Sequence, residues 1–173
     1  MANKHHLVHK SALLVRSLRA ANLLILALWL LILILSWPFA SRISAHIALS
    51  PLHVNIPATL TGLRLLLALG VATGVAVDRL LKALSRIIAT VTHGDPFLAS
   101  NATFLRTIAW MLLAIQLLDL AAGAVVGFLH AAGVRGLIWT PSITGWIAVV
   151  MVFVLAHVFT VGAAMRDELD GTV

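Results

Sequence analysis

Four long apolar runs constrain the fold of this chain more than any other feature of its sequence. Each run is long enough to cross a hydrocarbon layer of about 30 Å as a helix that rises about 1.5 Å per residue. The runs cover residues 20–39, 60–81, 106–130 and 143–165. Because 61% of the 173 residues are apolar and only 10% are charged, a water-soluble fold could not bury them. The sequence therefore predicts a single all-α integral membrane domain over residues 1–173, a bundle of four transmembrane helices.

The first apolar run shares one feature with cleavable signal sequences, because basic residues precede it. The run is long, however, and Ile43-Ser44-Ala45 fits a signal-peptidase site poorly. We therefore expect the first run to remain in the protein as a membrane anchor.

The distribution of Lys and Arg predicts how the chain is oriented, since cytoplasmic segments of membrane proteins are enriched in these residues. Nine lie before the first run, after the fourth, or in the loop between the second and third runs together with the adjoining ends of those runs: Lys4, Lys10, Arg16, Arg19, Arg79, Lys82, Arg86, Arg106 and Arg166. The two remaining loops have one each, Arg42 and Arg135. We expect a cytoplasmic (inner) membrane protein with both termini in the cytoplasm. Topology thus accounts for the net charge of +6, and no motif for direct nucleic-acid binding accompanies it.

The loop between the second and third runs has an amphipathic pattern. Its apolar positions recur at helical spacing, with basic and hydroxyl residues between them: Leu80, Leu81, Leu84, Ile87, Ile88 and Val91. This pattern predicts a helix with a basic face, either a separate interfacial helix or a continuation of the second span. The segment is either a solvated extension that fixes the loop or a docking surface for a cytoplasmic partner.

A turn motif, Gly94-Asp95-Pro96-Phe97, follows this helix, and Asn101 is the predicted N-cap of the third span. Together with Leu105-Arg106-Thr107-Ile108-Ala109, the motif is similar to the signature of a bacterial membrane family known as domain of unknown function 2975. The C-terminal sequences Val158-Phe159-Thr160-Val161-Gly162 and Asp170-Gly171-Thr172-Val173 also resemble that family.

The resemblance implies a four-span membrane protein and extends over most of the chain. Members of the family often resemble the membrane half of a pair whose other half is a small helix-turn-helix regulator. The family has no established activity that the resemblance could carry over to this chain. We therefore expect the partner-docking residues to be Gly94, Asp95, Pro96, Phe97, Asn101 and Arg106.

Polar residues inside the spans are candidates for a second site, because an ionisable group in the bilayer is costly unless it is paired, neutral or wetted. Asp119 lies near the middle of the third span with Gln116 close by, and Arg64 lies in the second span. We predict an Arg64–Asp119 ion pair, with a protonatable or cation-binding site at Asp119 as the alternative. His157 is predicted to form a hydrogen bond to a neighbouring helix.

Two GxxxG motifs predict close helix packing. Gly70 and Gly74 form one in the second span, and Gly123 and Gly127 form the other in the third. Their different depths mean that they do not simply face each other, and the fourth span is a candidate to meet both. Packing within one chain and homo-oligomerisation both remain open.

No catalytic constellation, metal site or cofactor motif is recognisable in the sequence, so we expect a non-enzymatic protein without a cofactor. The first functional hypothesis is a regulatory or sensor subunit that engages a cytoplasmic partner, such as a small DNA-binding regulator. The alternatives are a small transporter or channel component built around Asp119, and an accessory subunit of a larger membrane complex.

Overall fold

The computed structural model describes the backbone of residues 2–48, 54–92 and 99–170, and the side chains of 11, 13–46, 54–90 and 100–166. Within these ranges the chain forms five helices and no strand: α1 (Ala2–Leu35), α2 (Ala40–Ala48), α3 (Ile56–Thr92), α4 (Ala99–Ala131) and α5 (Ile143–Asp170). Four of them, α1, α3, α4 and α5, are long and apolar enough to cross a membrane. The prediction of an all-α protein with four transmembrane helices is confirmed.

Two helices begin at residues whose side chains cap the first turn. The Ala58 N–H donates to Asn55 Oδ1 at 3.1 Å at the start of α3, and the Gly145 N–H donates to Ser142 Oγ at 3.2 Å at the start of α5. Such caps satisfy N–H groups that have no partner inside the helix. The start of α5 is therefore specified locally, by the side chain of Ser142.

The four long helices pack as neighbours in chain order. Helix α1 packs on α3, α3 on α4, and α4 on α5, while no close backbone contact joins α5 to α1 or to α3 within the described residues. The expectation that the fourth span meets both glycine motifs is therefore wrong, because α4 lies between α5 and α3. Large apolar side chains cover the remaining faces, as lipid contact requires; Leu24, for example, is 73% exposed.

The amphipathic segment after the second span is the continuation of α3. This helix has 37 residues and is about 55 Å long, well beyond the roughly 30 Å of a hydrocarbon layer. Contacts between described side chains attach its end to α4. Thr90 Oγ1 lies 2.6 Å from Asn101 Oδ1, and the Arg86 guanidinium lies 5.6 Å from the ring centroid of Phe104.

Asn101 does not cap α4, contrary to the sequence prediction. The helix begins at Ala99, so that Asn101 lies within its first turn, and its side chain is buried against α3. Burial also makes Asn101 a residue that holds the two helices together rather than one that offers a surface. The predicted turn residues Gly94, Asp95, Pro96 and Phe97 lie outside the described part of the chain.

Candidate functional site

Polar residues and a glycine of α4 share one face of the helix. Gln116, Asp119, Gly123 and His130 are separated by three, four and seven residues, which places them on the same side. The neighbouring positions are largely apolar, so this face differs from the rest of α4.

The chain that follows α4 folds back along this face. We call residues 133–142 the return segment; it has no regular secondary structure beyond its first turn. Gly133 and Gly136 have φ angles of 92° and 98°, a left-handed conformation that favours glycine, and these allow the reversal. Ser142, at its end, lies beside Gln116, 15 residues before the end of α4 and hence about 22 Å back along the helix.

Beyond the backbone hydrogen bonds of its first turn, in which the Gly133 and Val134 N–H groups donate to α4 carbonyls, three hydrogen bonds of α4 or return-segment side chains attach the return segment to α4. The His130 ring nitrogen Nε2 lies 2.7 Å from the Leu137 carbonyl oxygen, which can only accept, so this nitrogen is the donor. The Trp139 indole N–H donates to Asp119 Oδ1 at 3.3 Å. The Gln116 amide donates to the Ser142 carbonyl oxygen at 3.1 Å.

These hydrogen bonds explain why polar residues occur on this face of α4. An extended segment has no hydrogen bonds of its own, and non-helical backbone at membrane depth is tolerated only where protein or water satisfies it. Gln116 and His130 satisfy two of its carbonyl groups, and Asp119 satisfies the one side-chain donor of Trp139. The face therefore holds the return segment in place.

Gly123 completes the same arrangement by leaving room for an aromatic ring. A Cβ atom at this position would lie 2.5 Å from two atoms of the Trp139 indole, closer than real Cβ contacts come. Gly127, the other half of the motif, has open space around it. Within this chain, Gly123 thus receives a side chain of the return segment instead of another helix, whereas homo-oligomerisation through this motif stays a prediction.

The second-span motif faces α1. Gly70 lies against the ring of Trp29, and Gly74 lies against Leu26. The Asn22 amide of α1 also donates to the Gly74 carbonyl oxygen at 2.9 Å. Small residues here allow bulky α1 side chains to approach the α3 backbone closely.

The predicted Arg64–Asp119 ion pair does not form. Arg64 Nη2 donates to the Ser36 carbonyl oxygen at 2.8 Å, and its guanidinium lies 4.5 Å from the ring centroid of Trp37. The physical reason is position: Arg64 is level with the end of α1, where unpaired carbonyl groups and the helix dipole attract a cation. Asp119 faces the return segment instead.

A charge cluster that the sequence analysis missed joins α1 to α3. Asp78 lies 2.8 Å from Arg19 Nε and 2.6 Å from Lys82 Nζ, and the Asp78 side chain is only 12% exposed. Two signals in the sequence could have revealed it. Asp78 and Lys82 are four residues apart on one helix, and Arg19 ends the basic stretch before the adjacent antiparallel span.

Asp119 also lies at the side of a groove between α1, α3 and α4. The groove has a volume of about 470 Å³ and is mostly apolar, with Asn22 and Thr73 as its other polar residues. Thr73 Oγ1 bonds to the Leu69 carbonyl of its own helix. Among the described side chains, no three His, Cys, Asp or Glu residues lie close enough together to hold a metal ion.

His157 is exposed on α5 and lines a second groove together with Arg106 of α4. Among the hydrogen bonds of the described residues, none joins His157 to another helix, so that prediction is wrong. The α4 residue at this level is Arg106, a cation that has no acceptor to offer the ring.

The fold and the arrangement along α4 define a four-span, all-α membrane protein that holds an extended segment against its third span. The chain belongs to the family described as Protein of unknown function (DUF2975), whose model matches residues 51–173. The match includes α3, α4, α5 and the return segment. No curated protein and no solved structure matches the chain.

Proposed function

We propose that this protein is a non-enzymatic regulatory or sensor subunit that engages a cytoplasmic partner through the end of the α3–α4 pair. The observation that carries the proposal is the length of α3, which continues without a break far beyond what a membrane crossing needs. A helix that only crosses the bilayer has no need of this extension. The extension is also attached to α4 by Thr90 and Asn101, which favours a defined surface.

The charge of this surface supports a complementary partner. Arg79 and Arg86 are exposed on α3, and Lys82 is 44% exposed although it pairs with Asp78. A protein that docks there needs an acidic surface, because complementary charges favour encounter and exclude wrong partners. The family resemblance indicates a small helix-turn-helix regulator as this partner.

The proposal is tested by native co-purification in a mild detergent, with the retained proteins searched for a small helix-turn-helix regulator. We expect the wild-type protein to retain that regulator and the double variant Arg79→Gln/Arg86→Gln to lose most of it. The matched control is Arg42→Gln/Arg135→Gln, which removes the same charge from the two loops predicted to lie on the non-cytoplasmic side of the membrane. Recovery of wild-type protein without a partner, or equal loss from both double variants, would overturn the proposal.

A second candidate function, a small transporter or channel component, rests on Asp119 and the groove of about 470 Å³ beside it. A carboxylate next to a groove in a membrane domain is an arrangement that can bind a proton or a cation. Against this candidate, the Trp139 indole already donates to the Asp119 carboxylate. Holding the return segment is therefore a sufficient reason for an aspartate at this position.

Flux measurements on proteoliposomes distinguish the two roles of Asp119. Asp119→Asn keeps an acceptor for Trp139 but removes the charge. A transport role requires that proton or cation flux is measurable with the wild-type protein and is lost in this variant. Flux that is absent, or equal in both proteins, would remove the transport candidate.

A further inference from the structure

The groove between α4 and α5 combines a cation with an apolar wall. It has a volume of about 330 Å³. Its lining consists of Arg106, Trp110, Phe153, Ala156, His157 and Thr160. It lies at the same end of the helices as Arg79 and Arg86, and on the opposite side of α4 from the charge cluster of Asp78.

Arg106 is exposed and has no acidic partner among the described side chains. The ion pairs found between described side chains at this end join Arg19 and Lys82 to Asp78. Asp119, the acidic residue of α4, lies 13 residues from Arg106, which is about 20 Å along the helix. The groove is therefore electropositive, and a guanidinium is well suited to two oxygens of a phosphate.

The remaining polar groups favour an anion with hydrogen-bond acceptors. The His157 ring offers an N–H at the level of Arg106 on the facing helix. Thr160 Oγ1 donates to the Ala156 carbonyl at 2.9 Å, so its hydrogen is already used. The donors available to a ligand are thus those of Arg106 and His157, together with the indole N–H of Trp110.

An aromatic wall continues the groove toward the apolar part of the helices. The rings of Trp110 and Phe153 meet edge to face with centroids 5.4 Å apart and an interplanar angle of 87°. Trp110 is 51% exposed, so its free face can contact an acyl chain. Tryptophan is enriched at this depth because its ring combines an apolar body with a polar N–H.

We propose that this groove binds an anionic phospholipid, with the lipid phosphate between Arg106 and His157 and an acyl chain against Trp110 and Phe153. Basic pockets between transmembrane helices are suited to lipid headgroups, since the lipid presents its phosphate at this depth. The aromatic wall favours a lipid over free phosphate, which would leave that wall without a contact. This inference does not depend on the proposed regulatory function, which involves a different surface.

Native mass spectrometry of the purified protein tests the proposal. The protein in detergent is incubated with an equimolar mixture of phosphatidylglycerol and phosphatidylcholine, and the retained lipid is identified. We expect selective retention of phosphatidylglycerol, and we expect Arg106→Gln to reduce it about fivefold, the effect of one basic residue near anionic lipid. Arg79→Gln removes the same charge at the same end but outside the groove, and it should leave retention unchanged.

A second variant tests the shape of the groove without changing the charge. Thr160→Leu places extra hydrocarbon in the lining of the groove, and the exposure of Thr160 means that folding should tolerate it. It should also reduce phosphatidylglycerol retention, whereas excess inorganic phosphate should not displace the lipid. Equal retention of both lipids, equal losses in Arg79→Gln and Arg106→Gln, no loss in Thr160→Leu, or displacement by phosphate would each overturn the proposal.

Discussion

Asp78 and Asp119 are the two acidic residues whose side chains the structure describes within the long helices, and their surroundings differ completely. Asp78 pairs with two cations, Arg19 and Lys82, and connects α1 to α3. Asp119 has a single indole donor and connects α4 to the return segment. Both side chains are carboxylates. That of Asp78 neutralises two cations, whereas that of Asp119 accepts a hydrogen bond from an indole N–H.

The difference shows how neighbouring backbone decides the role of a polar group in a membrane domain. Where two regular helices meet, their backbones are already hydrogen-bonded, so a carboxylate is held by side-chain cations. Where a helix meets extended chain, polar side chains compensate for the hydrogen bonds that the segment lacks. Gln116 and His130 take the same role as Asp119 on that face.

The substitution Asp78→Asn should cause the largest loss of stability, because it leaves two cations without a counter-charge. We expect the free energy of unfolding to fall by about 3 kcal/mol, at the low end for a broken buried pair since both cations are partly exposed. Unfolding in mixed micelles, followed by circular dichroism, measures this. Asp119→Asn is the matched control and should cost less than about 1 kcal/mol, because an amide oxygen still accepts the indole N–H. If Asp119→Asn lowered the free energy of unfolding as much as Asp78→Asn does, the proposed difference between the two carboxylates would be contradicted.

Gly123→Ala should have the next largest effect, because it displaces the Trp139 ring from α4. We expect a loss of about 2 kcal/mol from overpacking and faster amide hydrogen exchange in the return segment. Exchange followed by mass spectrometry provides the measurement. Gly127→Ala belongs to the same motif but has open space, so it should be neutral or stabilising. If amide hydrogen exchange in the return segment were similar in Gly123→Ala and Gly127→Ala, Gly123 would not be required to accommodate the Trp139 ring.

Arg64→Met should have the smallest effect of the three. It keeps much of the side-chain volume but removes the bond to the Ser36 carbonyl and the contact with Trp37, at a cost of about 1 kcal/mol. The same unfolding experiment measures it, with the exposed Arg135→Met as the control. If Arg64 acted through Asp119 instead, Arg64→Met would have no additional effect in the Asp119→Asn background. We expect the two losses to add.

Much of the architecture was predictable from sequence because the signals are local or cumulative. The four spans follow from run length, and the helical spacing of Leu84, Ile87 and Ile88 predicts a helix after the second span, although only the structure shows that this helix continues α3. The site was predictable only in part. Asp119 and Gln116 stood out as polar residues in an apolar run, but their partners could not be inferred, because nothing in residues 133–142 signals that this segment folds back.

The sequence by itself determined that this chain is an all-α membrane protein of four spans, since hydropathy and backbone hydrogen bonding leave few alternatives in a bilayer. It also marked α4 as the unusual helix. The tertiary structure alone decided that Arg64 binds the end of α1, that Gly123 receives Trp139, and that Asp119 holds the return segment. These outcomes depend on the level at which each helix begins and ends relative to its neighbours, and no single segment of sequence contains that information.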